Sequence, residues 1–279
     1  MKAAHRRSSL KHREKGFTEM IHKNQSDNQV YDTERIVLGK TPENILRMHL
    51  ARYAFAEEYV VDSLVLDVAS GIGYGSKLLS NCAKEAIGGD ISRSAVGYGQ
   101  KEWGRRENLS FLLLDAHMLP FRKGTFDAVV SFETIEHLPE QDLFLSECAR
   151  VLKKNGLLIC STCNKNILTA SYKRSLNPFH VAELTEGEFF SMLRSKFSHV
   201  EAYGQLFLSI PKRIVFMLYY TVGFTLVRLR LFFILQPMLR TMGKRNVLES
   251  LSTDLKPRTM SYSRKQVPGY VVAVCKDVR

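Results

Sequence analysis

The middle of this chain is built from short, continuous apolar runs that each end near a carboxylate, separated by stretches with helical spacing. Leu64-Val65-Leu66-Asp67-Val68 is followed at once by Ala69-Ser70-Gly71-Ile72-Gly73-Tyr74-Gly75, which opens into Ser76-Lys77-Leu78-Leu79. Ala86-Ile87-Gly88-Gly89-Asp90-Ile91-Ser92 and Leu109-Ser110-Phe111-Leu112-Leu113-Leu114-Asp115-Ala116 repeat the pattern. Phe126-Asp127-Ala128-Val129-Val130-Ser131-Phe132 gives a fourth strand, and Arg150 through Thr162 a fifth after an intervening helix. His199–Gln205 and Gly269–Cys275 read as two more strands. Unbroken apolar strands alternating with amphipathic helices predict a doubly wound α/β fold with a mostly parallel sheet, because only a sheet covered on both faces needs apolar residues at consecutive positions.

A strand that stops at a glycine turn lets backbone approach a ligand closely, since glycine has no Cβ and tolerates positive φ. The following helix start offers unpaired N–H groups. The dinucleotide fingerprint places its acidic residue well after the glycines. Here Asp67 precedes the turn, at the carboxyl end of the first strand, where it suits a cationic ligand better than a pyrophosphate. The arrangement Asp67-x-Ala69-x-Gly71-x-Gly73 resembles motif I of the class I S-adenosylmethionine-dependent methyltransferases, with Ala69 in place of the usual first glycine. Asp90, seventeen positions after Gly73, is placed to accept two ribose hydroxyls. The resemblance further implies that Asp115 accepts from the adenine amino group. It gives as cofactor residues Asp67, Ala69, Gly71, Gly73, Tyr74, Asp90, Ile91, Asp115, Ala116 and Phe132. It also implies a seven-stranded, mostly parallel, Rossmann-like sheet whose last strand runs antiparallel, with a helical insertion before that strand.

Four further segments occur together: Met48–Ala56, Gly71–Gly75, Phe132-Glu133-Thr134-Ile135-Glu136-His137, and Asn177-Pro178-Phe179-His180-Val181-Ala182-Glu183-Leu184. Over about residues 45–205 the chain is similar to small-molecule methyltransferases associated with cell-surface glycan or lipid-linked saccharide synthesis, which usually carry Pro where Cys163 stands. A small-molecule, saccharide or lipid-linked acceptor is therefore expected. Methyl transfer to a hydroxyl needs a base beside the acceptor. His137, after the fourth strand, and His180, after the fifth, both belong to the carboxyl edge where doubly wound sheets bind ligands. Each is a candidate base and equally a candidate loop-ordering group. Glu133 and Glu136 either position the acceptor or serve as first-turn helix acids.

Charge is concentrated at the ends. Residues 1–25 hold seven Lys/Arg against two acids, and residues 205–279 hold thirteen against three, so residues 26–204 carry −3 of the net +12. The net charge and basic tail raise the alternative of an RNA methyltransferase, against which stand the slightly acidic core and the absence of nucleic-acid-binding signatures. A non-catalytic S-adenosylmethionine-binding partner protein is the other alternative, and the intact acids at the cofactor positions do not bear on turnover. Residues 1–29 read as a basic tail without the apolar stretch of a signal peptide, 30–60 as an N-terminal helical segment, 61–205 as the cofactor-binding core, 206–260 as an apolar and basic insertion, and 261–279 as the strand completing the sheet. Within the insertion, Ile214–Val227 is fourteen residues without a charge, interrupted by Arg228 and Arg230. That is short of the roughly twenty residues of a spanning helix. The segment is either a cap over the active site or an interfacial element whose basic residues face an anionic membrane surface. The five cysteines are odd in number and fit a reduced, cytoplasmic setting. Cys160-x-x-Cys163 has no second pair, so it reads as strand residues and no metal is expected.

Overall fold

A computed structural model describes residues 36, 41–168, 177, 179–209, 257–260 and 266–279. Helices α1 (Glu43–Ala56), α2 (Tyr74–Leu79), α3 (Arg93–Trp103), α4 (Gln141–Val151), α5 (Lys165–Leu168) and α6 (Glu186–Lys196) alternate with strands β1 (Leu64–Val68), β2 (Glu85–Asp90), β3 (Leu109–Leu113), β4 (Phe126–Phe132), β5 (Leu152–Cys163), β6 (Phe197–Ser209), β7 (Arg258–Thr259) and β8 (Gln266–Val278). Among the described residues these strands form one sheet in the order β3-β2-β1-β4-β5-β8-β6-β7. The first five are parallel neighbours, and β8 runs antiparallel between β5 and β6.

Each strand separates two cores. Val65 joins Tyr53, Leu79, Trp103 and Phe111 on the face covered by α1, α2 and α3. Leu66 and Val68 join Phe144, Phe189 and Leu193 on the face covered by α4 and α6. Successive side chains alternate across a sheet, so a strand covered on both sides is apolar throughout. Asp67 falls on the Val65 face by the same alternation. That decides where its carboxylate points.

The sheet has eight strands where seven were expected. The extra one, β7, is a two-residue pairing of Arg258 and Thr259 with Gly204 and Tyr203 at the edge, too short to leave a pattern in the sequence. Arg150 and Val151 belong to α4 and not to the fifth strand. The Arg150 guanidinium donates to the carbonyls of Leu119 and Phe121 and to Glu147, which keeps that last helical turn wound. β6 continues four residues past Gln205, because β8 offers it a partner as far as Gln266. The uncharged run Ile214–Val227 and the basic tail lie outside the described residues, and no described helix is long and apolar enough to cross a membrane.

The strand order reverses between β1 and β4, which both run parallel but whose following helices pack on opposite faces. In open α/β sheets that switch point, at the carboxyl ends, is where ligands bind.

Candidate active site

The loop after β1 leaves the sheet at this switch point and is pinned on three consecutive residues. Ser70 N–H donates to the Gly89 carbonyl (2.9 Å), Gly71 N–H to Asp90 Oδ2 (2.9 Å), and the Ile72 carbonyl accepts from the Trp103 indole (3.2 Å). Ala69, Gly71 and Gly73 all have positive φ, at 59°, 56° and 83°. Gly71 opens onto empty space, whereas a Cβ on Gly73 would run into the Phe111 ring. The two glycines thus serve different needs: Gly73 makes room for packing, and Gly71 leaves the backbone bare toward the cleft. Ala69 tolerates the left-handed conformation at some cost in strain.

The three sequence-predicted acids are placed differently. Asp67 is wholly buried. Ser76 Oγ donates to its Oδ2 at 2.6 Å, and Tyr53 Oη donates to its Oδ1 at 3.2 Å. Burial pushes its carboxyl up to about 7, against the pull of those two hydroxyls. Asp90 ends β2 nearly buried, with one oxygen on Gly71 N–H and the other on Ser92 N–H (2.9 Å each). A carboxylate offers about four lone-pair sites, so each oxygen can accept again. Asp115 is exposed and ties its own turn, accepting from His117 N–H at 2.8 Å. That backbone bond, with the His117 ring, holds its carboxyl below the usual range.

The remaining cofactor candidates line the same edge. Ile91 is 69% exposed just beyond Asp90, and Met118 is 75% exposed beyond Asp115. Apolar side chains this exposed beside two carboxylates make a platform for a flat, apolar face with polar edges. Ala116 is half-buried between them. Tyr74 and Phe132 are buried and both meet the Tyr53 ring edge-on, at 5.6 and 5.0 Å. Tyr74 Oη also pairs with His49 Nδ1 at 3.1 Å.

At the end of β4, Glu133 has φ 52° and its Oε1 accepts from Ser161 Oγ at 2.9 Å. Glu136 sits in a 3₁₀ turn, Ile135–His137. It is buried, and its Oε2 accepts from Thr162 Oγ1 at 2.9 Å. Burial, then the nearby Glu133 charge, raises its carboxyl to about 8. His137 and His180 stand edge-on, 4.9 Å between ring centroids. His137 Nδ1 lies 3.1 Å from the Phe179 carbonyl, which can only accept, so Nδ1 carries the proton and Nε2 the lone pair. His180 Nδ1 pairs with Glu183 Oε1 at 2.6 Å.

Sequence reasoning missed Arg52, Met118, Gln205 and Glu183. Arg52 is completely buried and donates from Nη1 to Gln205 Oε1 (2.6 Å). Its Nη2 is 4.0 Å from Glu133 Oε1, and its Nε and Nη2 have no protein hydrogen-bond partner. An enclosed guanidinium beside the switch point favours a carboxylate there. Its helix position resembles that of any solvated cation, and its partner is 153 residues away. Only the recurrence of Met48–Ala56 alongside the other segments hinted at it.

A parallel switch-point sheet carrying a pinned glycine loop, a buried strand-end acid bonded to that loop and exposed apolar side chains is an architecture typical of nucleotide-cofactor-binding α/β proteins. Residues 66–160 match the family model described as a methyltransferase domain. That core is a class I S-adenosylmethionine-dependent methyltransferase domain. A protein of Mycobacterium tuberculosis (strain CDC 1551 / Oshkosh), named a probable S-adenosylmethionine-dependent methyltransferase, is 37% identical over 129 residues, 46% of this chain and 46% of that one. A similarly named protein of Mycolicibacterium smegmatis is 32% identical over 169 residues, covering 60% and 65%. The chain therefore spans between about half and two thirds of the length of these relatives. The fold is shared with a solved S-adenosylmethionine-dependent methyltransferase of Thermotoga maritima (TM-score 0.53, 16% identity, 84% of this chain and 94% of that one).

Proposed function

We propose that the protein transfers a methyl group from S-adenosylmethionine to a hydroxyl of a small-molecule, saccharide or lipid-linked acceptor by direct displacement. The observation that carries this reading is the Gly71 N–H bound to Asp90 at the switch point, with the cleft open above Gly71. The residues present fit the cofactor. Asp90 has acceptor capacity for two ribose hydroxyls, Ile91 and Met118 suit the two-sided apolar surface of an adenine, and Asp115 its amino group. Arg52, with two nitrogens not satisfied by protein, suits the carboxylate of the methionine portion.

When bound, S-adenosylmethionine supplies a methyl group already activated by its sulfonium. What remains for the protein is alignment and proton removal. We assign proton removal to His137, whose Nε2 bears the lone pair. In that transfer the acceptor hydroxyl's proton would pass to His137 Nε2 as its oxygen takes the methyl group. His180, edge-on to it, orders the ring. Exposed Phe179 and Val181 flank His180, which suits an acceptor with an apolar portion. The uncharged run Ile214–Val227 between basic clusters extends the same reading to an anionic membrane surface at which a lipid-linked acceptor would be met, a point decided by sedimentation with anionic vesicles. Protein that stays in the supernatant at low salt rejects it.

The test of the core reading is calorimetric titration with S-adenosylmethionine and with NAD, followed by methyl-label transfer to polar and lipid extracts. Tighter binding of NAD overturns it. Replacing His137 by Ala is expected to lower turnover about 10²–10⁴-fold with cofactor affinity nearly unchanged. Full turnover in that variant rejects the assignment of the base.

A further inference from the structure

We propose that Glu136, Cys163 and His180 form a zinc site beside His137 at the carboxyl edge of the sheet. A carboxylate oxygen of Glu136, Cys163 Sγ and a ring nitrogen of His180 lie within 4.8 Å of one another. They come from three separate elements: the 3₁₀ turn after β4, the last residue of β5, and the loop before α6. That loop is stitched in place. The Glu136 carbonyl accepts from both Val181 N–H (2.9 Å) and Ala182 N–H (3.1 Å), and Gln141 Nε2 donates to the carbonyls of Ile135 (2.8 Å) and Ala182 (2.7 Å). The ligand set is thus held by backbone contacts that do not involve the ligating atoms.

A second observation points to a bound cation. Glu136 is 1% exposed, and while its Oε2 takes the Thr162 hydroxyl, its Oε1 is buried with no donor from the protein. A buried carboxylate with an unsatisfied oxygen is costly unless a counter-charge reaches it. The nearby Glu133 charge adds to that cost, and the other neighbours, a thiol and an imidazole, are donors to a metal ion more readily than partners in an ion pair. Sulfur, nitrogen and oxygen together select zinc over magnesium or calcium. His180 Nδ1 faces both Cys163 Sγ at 3.8 Å and Glu183 Oε1 at 2.6 Å, so zinc taken by Nδ1 replaces the contact with Glu183.

The ligand atoms, within 4.8 Å of one another, must close to bind. Zinc bonds of about 2.0–2.3 Å put tetrahedral ligands about 3.5 Å apart. Cys163 Sγ and His180 Nδ1 already stand 3.8 Å apart. Binding displaces the thiol proton of Cys163, and the proton that burial favours on Glu136, to solvent and leaves a thiolate and a carboxylate on the metal. Three protein ligands leave a fourth position for water or the acceptor's oxygen, the pattern of zinc sites that do chemistry. This last role rests on the methyl-transfer reading; the binding of zinc does not.

The full chain, stripped with a chelator and dialysed against zinc, is expected to retain one zinc per molecule by atomic emission. Cobalt substituted for zinc is expected to show a thiolate charge-transfer band. Cys163→Ala is expected to lose that band and the tightly held zinc, and Cys163→Ser, closer in shape, to lose the band alone or both. Unchanged S-adenosylhomocysteine affinity in these variants shows that the fold is intact. Zinc retained equally by Cys163→Ala, a thiolate band that survives in it, or no zinc held by the parent chain overturns the proposal. Failure of the parent chain to bind S-adenosylhomocysteine would instead reject the methyl-transfer reading and leave the metal result to stand or fall by itself.

Discussion

Asp90→Asn tests whether the glycine loop is shaped by the acid that is assigned to the ribose. In the wild-type chain each Asp90 oxygen receives one backbone N–H at 2.9 Å, from Gly71 and from Ser92. Asparagine retains one oxygen, so its amide nitrogen must turn toward the other N–H. One charge-assisted bond is lost and a buried donor faces a donor. Such bonds contribute about 1.5–3 kcal/mol. At 1.4 kcal/mol per factor of ten, that is about 10- to 150-fold in affinity if the loop's shape is what the cofactor reads. Calorimetry with S-adenosylhomocysteine gives the affinity, and urea unfolding of the apo-protein gives the stability. The loss is expected in both, since the Gly71 contact exists without ligand. An affinity within threefold of wild type, with stability lowered as calculated, would refute the reasoning. Asp90 would then be a loop brace with no share in the ligand.

Three other outcomes follow from the same loop and its neighbours. Gly73→Ala meets both a φ of 83° and the Phe111 ring, and is expected to cost about 2–4 kcal/mol by urea unfolding; a loss under 1 kcal/mol would show that the ring yields freely. Ala69→Gly relieves a left-handed alanine at φ 59° and is expected to be neutral or stabilising by up to about 1 kcal/mol, despite the flexibility glycine adds to the unfolded chain; a loss of more than 1 kcal/mol contradicts this. Asp67, with its carboxyl raised to about 7 by burial, binds a proton in the folded state more readily than in the unfolded one. Its contribution to stability is therefore complete below the unfolded value near 4 and is lost as the pH rises through about 7. The melting temperature of the apo-protein is expected to fall over that interval, and Asp67→Asn to flatten the fall; an identical slope in the variant assigns it to other groups.

The acid-ended apolar runs made the parallel half of the sheet legible, because strands buried on both faces leave an unbroken pattern. The antiparallel half was read less well. Only the centres of β6 and β8 were legible, since their ends are fixed by pairing with each other and not by burial. The glycine loop and Asp90 were recognised because backbone geometry restricts the residue types allowed there. Arg52 was not, because an arginine in an amphipathic helix carries no mark of whether its side chain turns inward. Cys163 read as a plain strand residue for a related reason. Its neighbours Glu136 and His180 come to it across two loops, and no local spacing records their approach.

The three strand-end carboxylates began as one signal and separate into three physical roles. Asp67 lies on the Val65 face of β1, so its oxygens turn to Tyr53 and Ser76 and join α1, β1 and α2. A cationic ligand would feel it through those hydroxyls, not through contact. Asp90 acts one strand over, where the chain leaves the sheet one residue later in register, and its carboxylate reaches sideways to the β1 loop. It therefore couples the ends of two adjacent strands. Asp115 lies two residues past β3, farther from the switch point, and folds its own turn around His117, which keeps it charged. Burial falls and ligand access rises from the first to the third. On that gradient, removing Asp67 should act mainly on folding, Asp90 on both folding and binding, and Asp115 mainly on binding. A ranking of this kind follows from where each strand stops and which face its last residues take, before any ligand is considered.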